Sequence, residues 1–229
     1  MGSPEGRVRL IVDAAGVSDA SSWVVDGIGE FGSGVRGLMP PVFEGYVRIL
    51  HPASSPSEEP VRWEDVAREA GTRVDARTRF DELAKGASGR LWDEGPRAGE
   101  FPASRLPALA SVLRAHTRTP DACWFCLWDG WGWIPDGTFA SAPRVRLPHR
   151  DYLLYEGPVD AADEFGQRGD GFFFPQSPNL FWPADRGWCV ATEIDLESTY
   201  VGGSAALAEA LLTDDRFEAL SVTADDPVA

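Results

Sequence analysis

Apolar side chains recur at i, i+3, i+4 and i+7, the spacing of one helix face, in three stretches of the chain. These stretches are residues 43–50, 63–70 and 106–113. Residues 205–212 are predicted to form a further helix, because Ser204 stands at the position of an N-cap. A weaker helix is predicted for residues 21–31, where glycines oppose helix formation.

Short stretches rich in β-branched and aromatic residues predict strands, most of them in the second half of the chain. These stretches are residues 7–12, 123–128, 152–155, 188–194 and 220–222. Helical patterns thus come mainly first and strand patterns mainly later, which favours an α+β fold over regular βαβ alternation. We predict a single α+β domain over residues 1–229, with helices mainly N-terminal and a mixed or antiparallel sheet mainly C-terminal. Residues 1–15 and 223–229 are expected to fray.

Charge changes the picture, because it is unevenly distributed. The chain of 229 residues has a net charge of −15. Residues 121–229 alone carry 19 acidic and 6 basic side chains. So negative a chain repels phosphate backbones, so we expect no nucleic-acid partner. No apolar stretch approaches the length of a membrane span and no leader pattern is visible, so we expect a cytoplasmic location without membrane contact.

Two short motifs are candidates for cofactor or metal chemistry. Residues 27–32 match G-x-G-x-x-G, but the glycines and prolines that follow leave no room for the helix that dinucleotide binding requires. Cys123 and Cys126 match C-x-x-C, yet positions i and i+3 of a strand point to opposite faces. We therefore interpret the glycines as a loop and the cysteines as buried and inert, and we expect no cofactor and no metal.

Aromatic and acidic residues cluster in the same half of the chain and form the most informative feature. Glu193 and Asp195 alternate along a predicted strand, so they are expected to share one face. Tryptophan walls with carboxylates suit a sugar or a cation, although core tryptophans with solvated carboxylates would give the same pattern. The candidate ligand-binding residues are Trp128, Asp129, Trp131, Trp133, Trp182, Asp185 and Arg186.

Four segments carry a resemblance to a known family. They are residues 43–52 (FEGYVRILHP), 123–132 (CWFCLWDGWG), 182–189 (WPADRGWC) and 198–204 (STYVGGS). They resemble an uncharacterised actinobacterial protein family, which implies no activity. In composition and rhythm the chain also resembles SUKH-type immunity proteins, which are acidic α+β domains with scattered tryptophans. Neither resemblance transfers a catalytic residue to this chain.

These observations lead to two hypotheses about function. The first is a non-enzymatic, acidic binding or interaction domain of the immunity type, which engages a basic protein or a small polar or cationic ligand through its acidic C-terminal half. The second is a hydrolase for a sugar or polar small molecule, with Glu193 and Asp195 as acid and base. In the hydrolase, Asp129, Asp185 and Arg186 would orient the substrate. It requires Asp129, Asp185 and one of the two catalytic carboxylates to converge on one pocket.

Overall fold

The structure is a computed structural model that describes residues 7–89, 91–134, 137, 139–148 and 150–229. Its α-helices are Ala14–Gly27 (α1), Trp63–Glu69 (α2), Phe80–Gly86 (α3), Leu106–Ala115 (α4) and Ala205–Leu212 (α5). Two short 3-10 helices cover Val35–Gly37 and Val159–Glu164. Within the described ranges, no helix is both long and apolar enough to cross a membrane.

A large antiparallel sheet dominates the molecule. The strands are Arg9–Leu10 (β1), Gly45–Leu50 (β2), Ala53–Ser54 (β3), Pro60–Val61 (β4), Cys123–Trp128 (β5), Val145–Leu147 (β6), Arg150–Gly157 (β7), Gly166–Gly169 (β8), Phe172–Pro175 (β9), Leu180–Pro183 (β10), Trp188–Ala191 (β11), Ser198–Gly203 (β12) and Ala219–Val222 (β13). The main sheet has nine strands in the order β1-β7-β5-β10-β11-β12-β2-β13, with β6 also paired to β7. Strands β3–β4 and β8–β9 form separate two-stranded hairpins. The mixed α+β composition agrees with the sequence prediction.

Helices cover both faces of the main sheet. One face packs against α4, α5 and the 3-10 helix at Val159–Glu164, around Phe125, Phe181 and Trp188. The other face packs against α1, around Cys126 and Trp182. Helices α2 and α3 form a smaller core of their own beside the end of β2. The sheet is therefore buried on both sides, which explains why its central strands carry few exposed side chains.

The helix predicted over residues 43–50 is wrong, because this segment forms β2 between β12 and β13. Every residue from Tyr46 to Leu50 is buried, so the apolar positions that matched a helix face in fact serve both faces of a strand. The helices predicted over residues 63–70, 106–113 and 205–212 are confirmed as α2, α4 and α5. The weaker prediction at 21–31 is displaced: α1 starts at Ala14, where the side chain of Asp13 accepts from Gly16 N.

Of three further predictions from the sequence, the strand position of Glu193 and Asp195 is wrong, and the placements of the cysteines and of the glycine loop are confirmed. Strand β11 ends at Ala191, three residues earlier than predicted, so Glu193 and Asp195 lie in the loop that follows and not on a strand face. Cys123 and Cys126 do pack on opposite faces of the sheet, as predicted. The glycine motif at residues 27–32 begins at the last residue of α1, where dinucleotide binding needs a strand, and its other residues form a loop, as predicted.

The two ends of the described chain contact the main sheet. Strand β1 pairs with β7. At the other end, Ala229 N donates to the Tyr200 hydroxyl at 3.1 Å, and Arg48 Nη2 donates to Ala229 O at 2.7 Å. The fraying expected for residues 1–6 lies outside the described residues.

Candidate functional site

Several of the predicted site residues meet around one arginine, Arg150, at the end of the sheet where β5 stops and β7 begins. Arg150 Nε donates to Glu193 Oε1 at 3.0 Å, and Arg150 Nη2 donates to Asp195 Oδ2 at 2.8 Å. Glu193 Oε2 also accepts from Asp195 N at 2.7 Å. The guanidinium lies 5.7 Å from the centre of the Trp128 ring. Both candidate catalytic carboxylates are thus already bound to the same cation.

A buried asparagine, which the sequence analysis did not identify, organises this end of the sheet. Asn179 Oδ1 accepts from Trp128 N at 2.9 Å and from Trp131 Nε1 at 3.2 Å. Its amide Nδ2 donates to Thr192 O at 3.2 Å. The rings of Trp128 and Trp131 meet edge to face at 5.5 Å. A single polar side chain therefore ties the tryptophan segment to the loop that carries Glu193.

The cavity beside Arg150 is small. Its volume is about 30 Å³, and Asn179, Glu193, Tyr152 and apolar side chains complete its lining. A space of this size holds about one water molecule. A sugar ring does not fit there.

Asp129 and Asp185 do not join the Arg150 cluster. Asp129 accepts from Arg144 Nε at 3.0 Å. Asp185 lies in the turn after β10, at the other end of that strand from Asn179, and accepts from Thr117 Oγ1 at 2.7 Å. Although partial burial opposes it, hydrogen bonds from Thr117, Arg118 and Gly187 hold the pKa of Asp185 below its usual value. The convergence that the hydrolase hypothesis requires is absent from this arrangement.

Two other predicted ligand-binding residues, Trp182 and Arg186, both pack against Trp23. Trp182 is buried in the core and meets the ring of Trp23 edge to face at 5.8 Å. The guanidinium of Arg186 covers the same Trp23 ring at 5.5 Å. Trp182 is therefore closed to solvent, and Arg186 shields a second tryptophan.

Trp133 lines a different and much larger feature, a cleft of about 620 Å³. Three glutamates (Glu58, Glu94 and Glu100) and two arginines (Arg97 and Arg105) lie on its walls together with Trp133 and Phe174. The glutamates come from the β3–β4 hairpin and from the segment before α4, whereas the aromatic side chains come from the second half of the chain. We call this feature the acidic-aromatic cleft.

The carboxylates of this cleft differ from those that the sequence analysis emphasised. Glu58 and Glu94 are exposed and have no ion-pair partner among the described residues, while Glu100 pairs with Arg97 at 3.1 Å. By contrast, most acidic side chains after residue 120 form ion pairs with arginine. These are Asp121, Asp129, Glu156, Asp160, Asp163, Glu164, Asp185, Glu193, Asp195, Asp214 and Asp225.

A buried histidine lines the inner end of the cleft. His51 is 1% exposed; its Nδ1 donates to Arg97 O at 2.8 Å, and its Nε2 accepts from the Thr199 hydroxyl at 2.9 Å. Burial lowers the pKa of His51 to about 4. The imidazole is therefore neutral at physiological pH, and it anchors the segment that carries Glu94 and Glu100 to the sheet.

In the part of the chain that the structure describes, no side chains are arranged as a metal site or as a reactive thiol pair. Among these residues, no group of histidine, cysteine, aspartate and glutamate side chains is arranged to hold a metal ion. The three cysteines are buried and free, and burial raises the pKa of the Cys123 thiol to about 12. Such thiols are poor nucleophiles and poor metal ligands.

Comparison with known proteins adds no family. No protein-family model matches the chain, and neither the curated proteins nor the solved structures compared with it gave a match.

Proposed function

We propose that this chain is a binding protein that engages a basic segment of a protein partner in the acidic-aromatic cleft. The observation that carries this proposal is the pair of exposed, unpaired carboxylates of Glu58 and Glu94 on the wall of the largest described cleft. Trp133 and Phe174 line the same cleft. Lysine and arginine side chains fit such a site, because their charged ends meet carboxylates while their stems pack on aromatic rings.

A partner with several charges suits this cleft better than a small cation does. The carboxylates of Glu58 and Glu94 lie in solvent, where one ion pair contributes about 0.2–1 kcal/mol. A segment with several basic residues engages both carboxylates at once, and the net charge of −15 speeds its approach. This proposal rests on Glu58 and Glu94 and not on the carboxylates after residue 120, because most of those already form ion pairs with arginine.

Titration calorimetry with two synthetic peptides tests the proposal. One peptide alternates lysine and serine, and the other alternates glutamate and serine at equal length. We expect only the lysine peptide to bind, and to bind more weakly as salt rises from about 50 to about 500 mM. The double substitution Glu58→Gln and Glu94→Gln should weaken binding about threefold to tenfold.

A matched variant separates the cleft from general attraction to an acidic protein. Glu209→Gln with Asp215→Gln removes the same charge from two exposed positions that do not line the cleft. We expect this control to bind the lysine peptide almost as the unmodified protein does. Equal losses in both variants, or equal binding of the two peptides, would overturn the assignment.

The proposal also includes a cytoplasmic location and a role of the immunity type. A cytoplasmic location is supported by three free, buried cysteines, since reducing compartments keep thiols unpaired. A role of the immunity type would supply the protein partner that the cleft requires. The hydrolase hypothesis is not carried forward, because Glu193 and Asp195 are bound to Arg150 beside a cavity too small for a sugar.

A further inference from the structure

The β8–β9 hairpin exposes three consecutive phenylalanines. Phe172, Phe173 and Phe174 are 44%, 37% and 63% exposed, although large apolar side chains normally avoid water. The hairpin forms its own two-stranded sheet, separate from the main one. Its composition is therefore not explained by packing into the core.

The two faces of this hairpin differ. Phe172 and Phe174 alternate along β9, so they share one face, and their ring centres are 5.1 Å apart. On the opposite face, the guanidinium of Arg168 covers the Phe173 ring at 4.0 Å. One face is thus already protected by a cation, while the other presents a pair of adjacent rings.

The face of the hairpin that carries Phe172 and Phe174, which we call the unprotected face, contains a glycine of the neighbouring strand. Gly169 lies opposite Phe172 in the pairing of β8 with β9. A β-carbon at this position would clash with the Phe172 ring. The absence of a side chain lets the Phe172 ring lie across the neighbouring strand, which widens the flat apolar surface.

The unprotected face is continuous with the acidic-aromatic cleft. Gln167 and Phe174 pair across the hairpin, so they share the face of Phe172, and both line the cleft. The ring of Phe174 therefore borders the same cleft that Glu58 and Glu94 line. A partner lying in this space meets carboxylates on one side and phenylalanine rings on the other.

We infer that the hairpin face of Phe172 and Phe174 is the apolar half of one interface, and that its occupant is an amphipathic basic segment of a partner protein. This inference rests on the proposed function and adds that apolar side chains must accompany the basic ones. Charge complementarity alone would accept any basic chain; the exposed rings require a segment whose apolar residues lie beside its lysines or arginines.

Three peptides of equal length test the inference. The first alternates lysine and leucine, the second lysine and serine, and the third glutamate and leucine. We expect the lysine–leucine peptide to bind at least about tenfold more tightly than the lysine–serine peptide, because leucine covers the rings. The substitution Phe172→Ser, at a position that does not line the cleft, should reduce that difference and leave lysine–serine binding unchanged. Phe172 is 44% exposed, and circular dichroism checks that the variant folds.

The control removes apolar side chains that are even more exposed but lie elsewhere. Val12→Ser with Val42→Ser changes two residues that are 71% and 69% exposed and do not line the cleft. This variant should keep the preference for leucine. If the two lysine peptides bind equally, or the phenylalanine variant keeps the full preference, the inference is wrong and the proposed function stands. If the glutamate–leucine peptide binds as well as the lysine–leucine peptide, the proposed function itself fails.

Discussion

Acidification should destabilise this protein through His51. The imidazole is 1% exposed; its Nδ1 donates to Arg97 O and its Nε2 accepts from the Thr199 hydroxyl. Burial is the main cause of its low pKa; the hydrogen bond to Arg97 opposes the shift, and the positive charges of Arg48 and Arg105 add to it. Protonating His51 in the native state would therefore place a second cation near Arg48 without water to solvate it.

The magnitude follows from the difference between the unfolded and the native pKa. His51 changes from 6.5 to about 4, so between these values the unfolded chain binds a proton that the native chain does not bind. The free energy of unfolding then falls as the pH falls. The whole interval corresponds to about 3 kcal/mol, of which about 2 kcal/mol is lost between pH 7 and pH 5.

Urea unfolding followed by tryptophan fluorescence measures this loss at pH 7 and pH 5. His51→Asn removes the titrating group and keeps a donor near Arg97 O, so the variant should lose about 2 kcal/mol less than the unmodified protein over this interval. The raised pKa values of the carboxyls of Glu197 and Glu218, both caused mainly by burial, act in both proteins and cancel.

His116→Asn, at the half-buried end of α4, controls for the loss of a histidine elsewhere and should keep the full pH dependence. Equal losses in the unmodified protein and in His51→Asn would refute the reasoning. An NMR titration that shows the native His51 ring protonating above about pH 6 would refute it independently.

Two other predictions concern buried parts of the sheet. Burial raises the thiol pKa of Cys123, Cys126 and Cys189, so a disulfide reagent at mildly alkaline pH should label none of them in the native protein and all three in urea; rapid native labelling would contradict their burial. Gly202→Ala places a β-carbon against the Phe43 ring, where it would clash, and should lower the free energy of unfolding by about 1–3 kcal/mol, whereas an unchanged urea midpoint would show that the ring moves freely.

The candidate site was only partly predictable from sequence. Glu193, Asp195 and Trp128 do meet, but the reason is Arg150 and not a shared strand face, since β11 ends at Ala191. No local pattern marks Asn179 as the residue that joins the tryptophans to this loop. Its role comes from its position at the start of β10, which lies between β5 and β11 only in the folded sheet.

The acidic-aromatic cleft was even less predictable from the sequence than the Arg150 cluster. Glu58 and Glu94 stand in polar stretches with no motif around them, and Phe174 is far from both in sequence. The excess of acidic residues after residue 120 does not by itself identify a binding surface, because counting charges does not reveal which carboxylates are ion-paired. Only the folded chain brings Arg7, Arg9, Arg36, Arg114, Arg118, Arg144 and Arg150 to those carboxylates.

The sequence by itself determined the elements whose signals are local. Helices α2, α4 and α5 follow from apolar spacing, and α5 also from the side-chain cap of Ser204, while β5 follows from a run of aromatic and sulfur-containing residues. The tertiary structure decided what depends on distant neighbours: that residues 45–50 form a strand, which carboxylates stay unpaired, and where the cleft lies. Pairing across β2, β12 and β13 overrides the helical spacing, because backbone hydrogen bonds on both edges and burial on both faces stabilise the strand more than a single apolar stripe stabilises a helix.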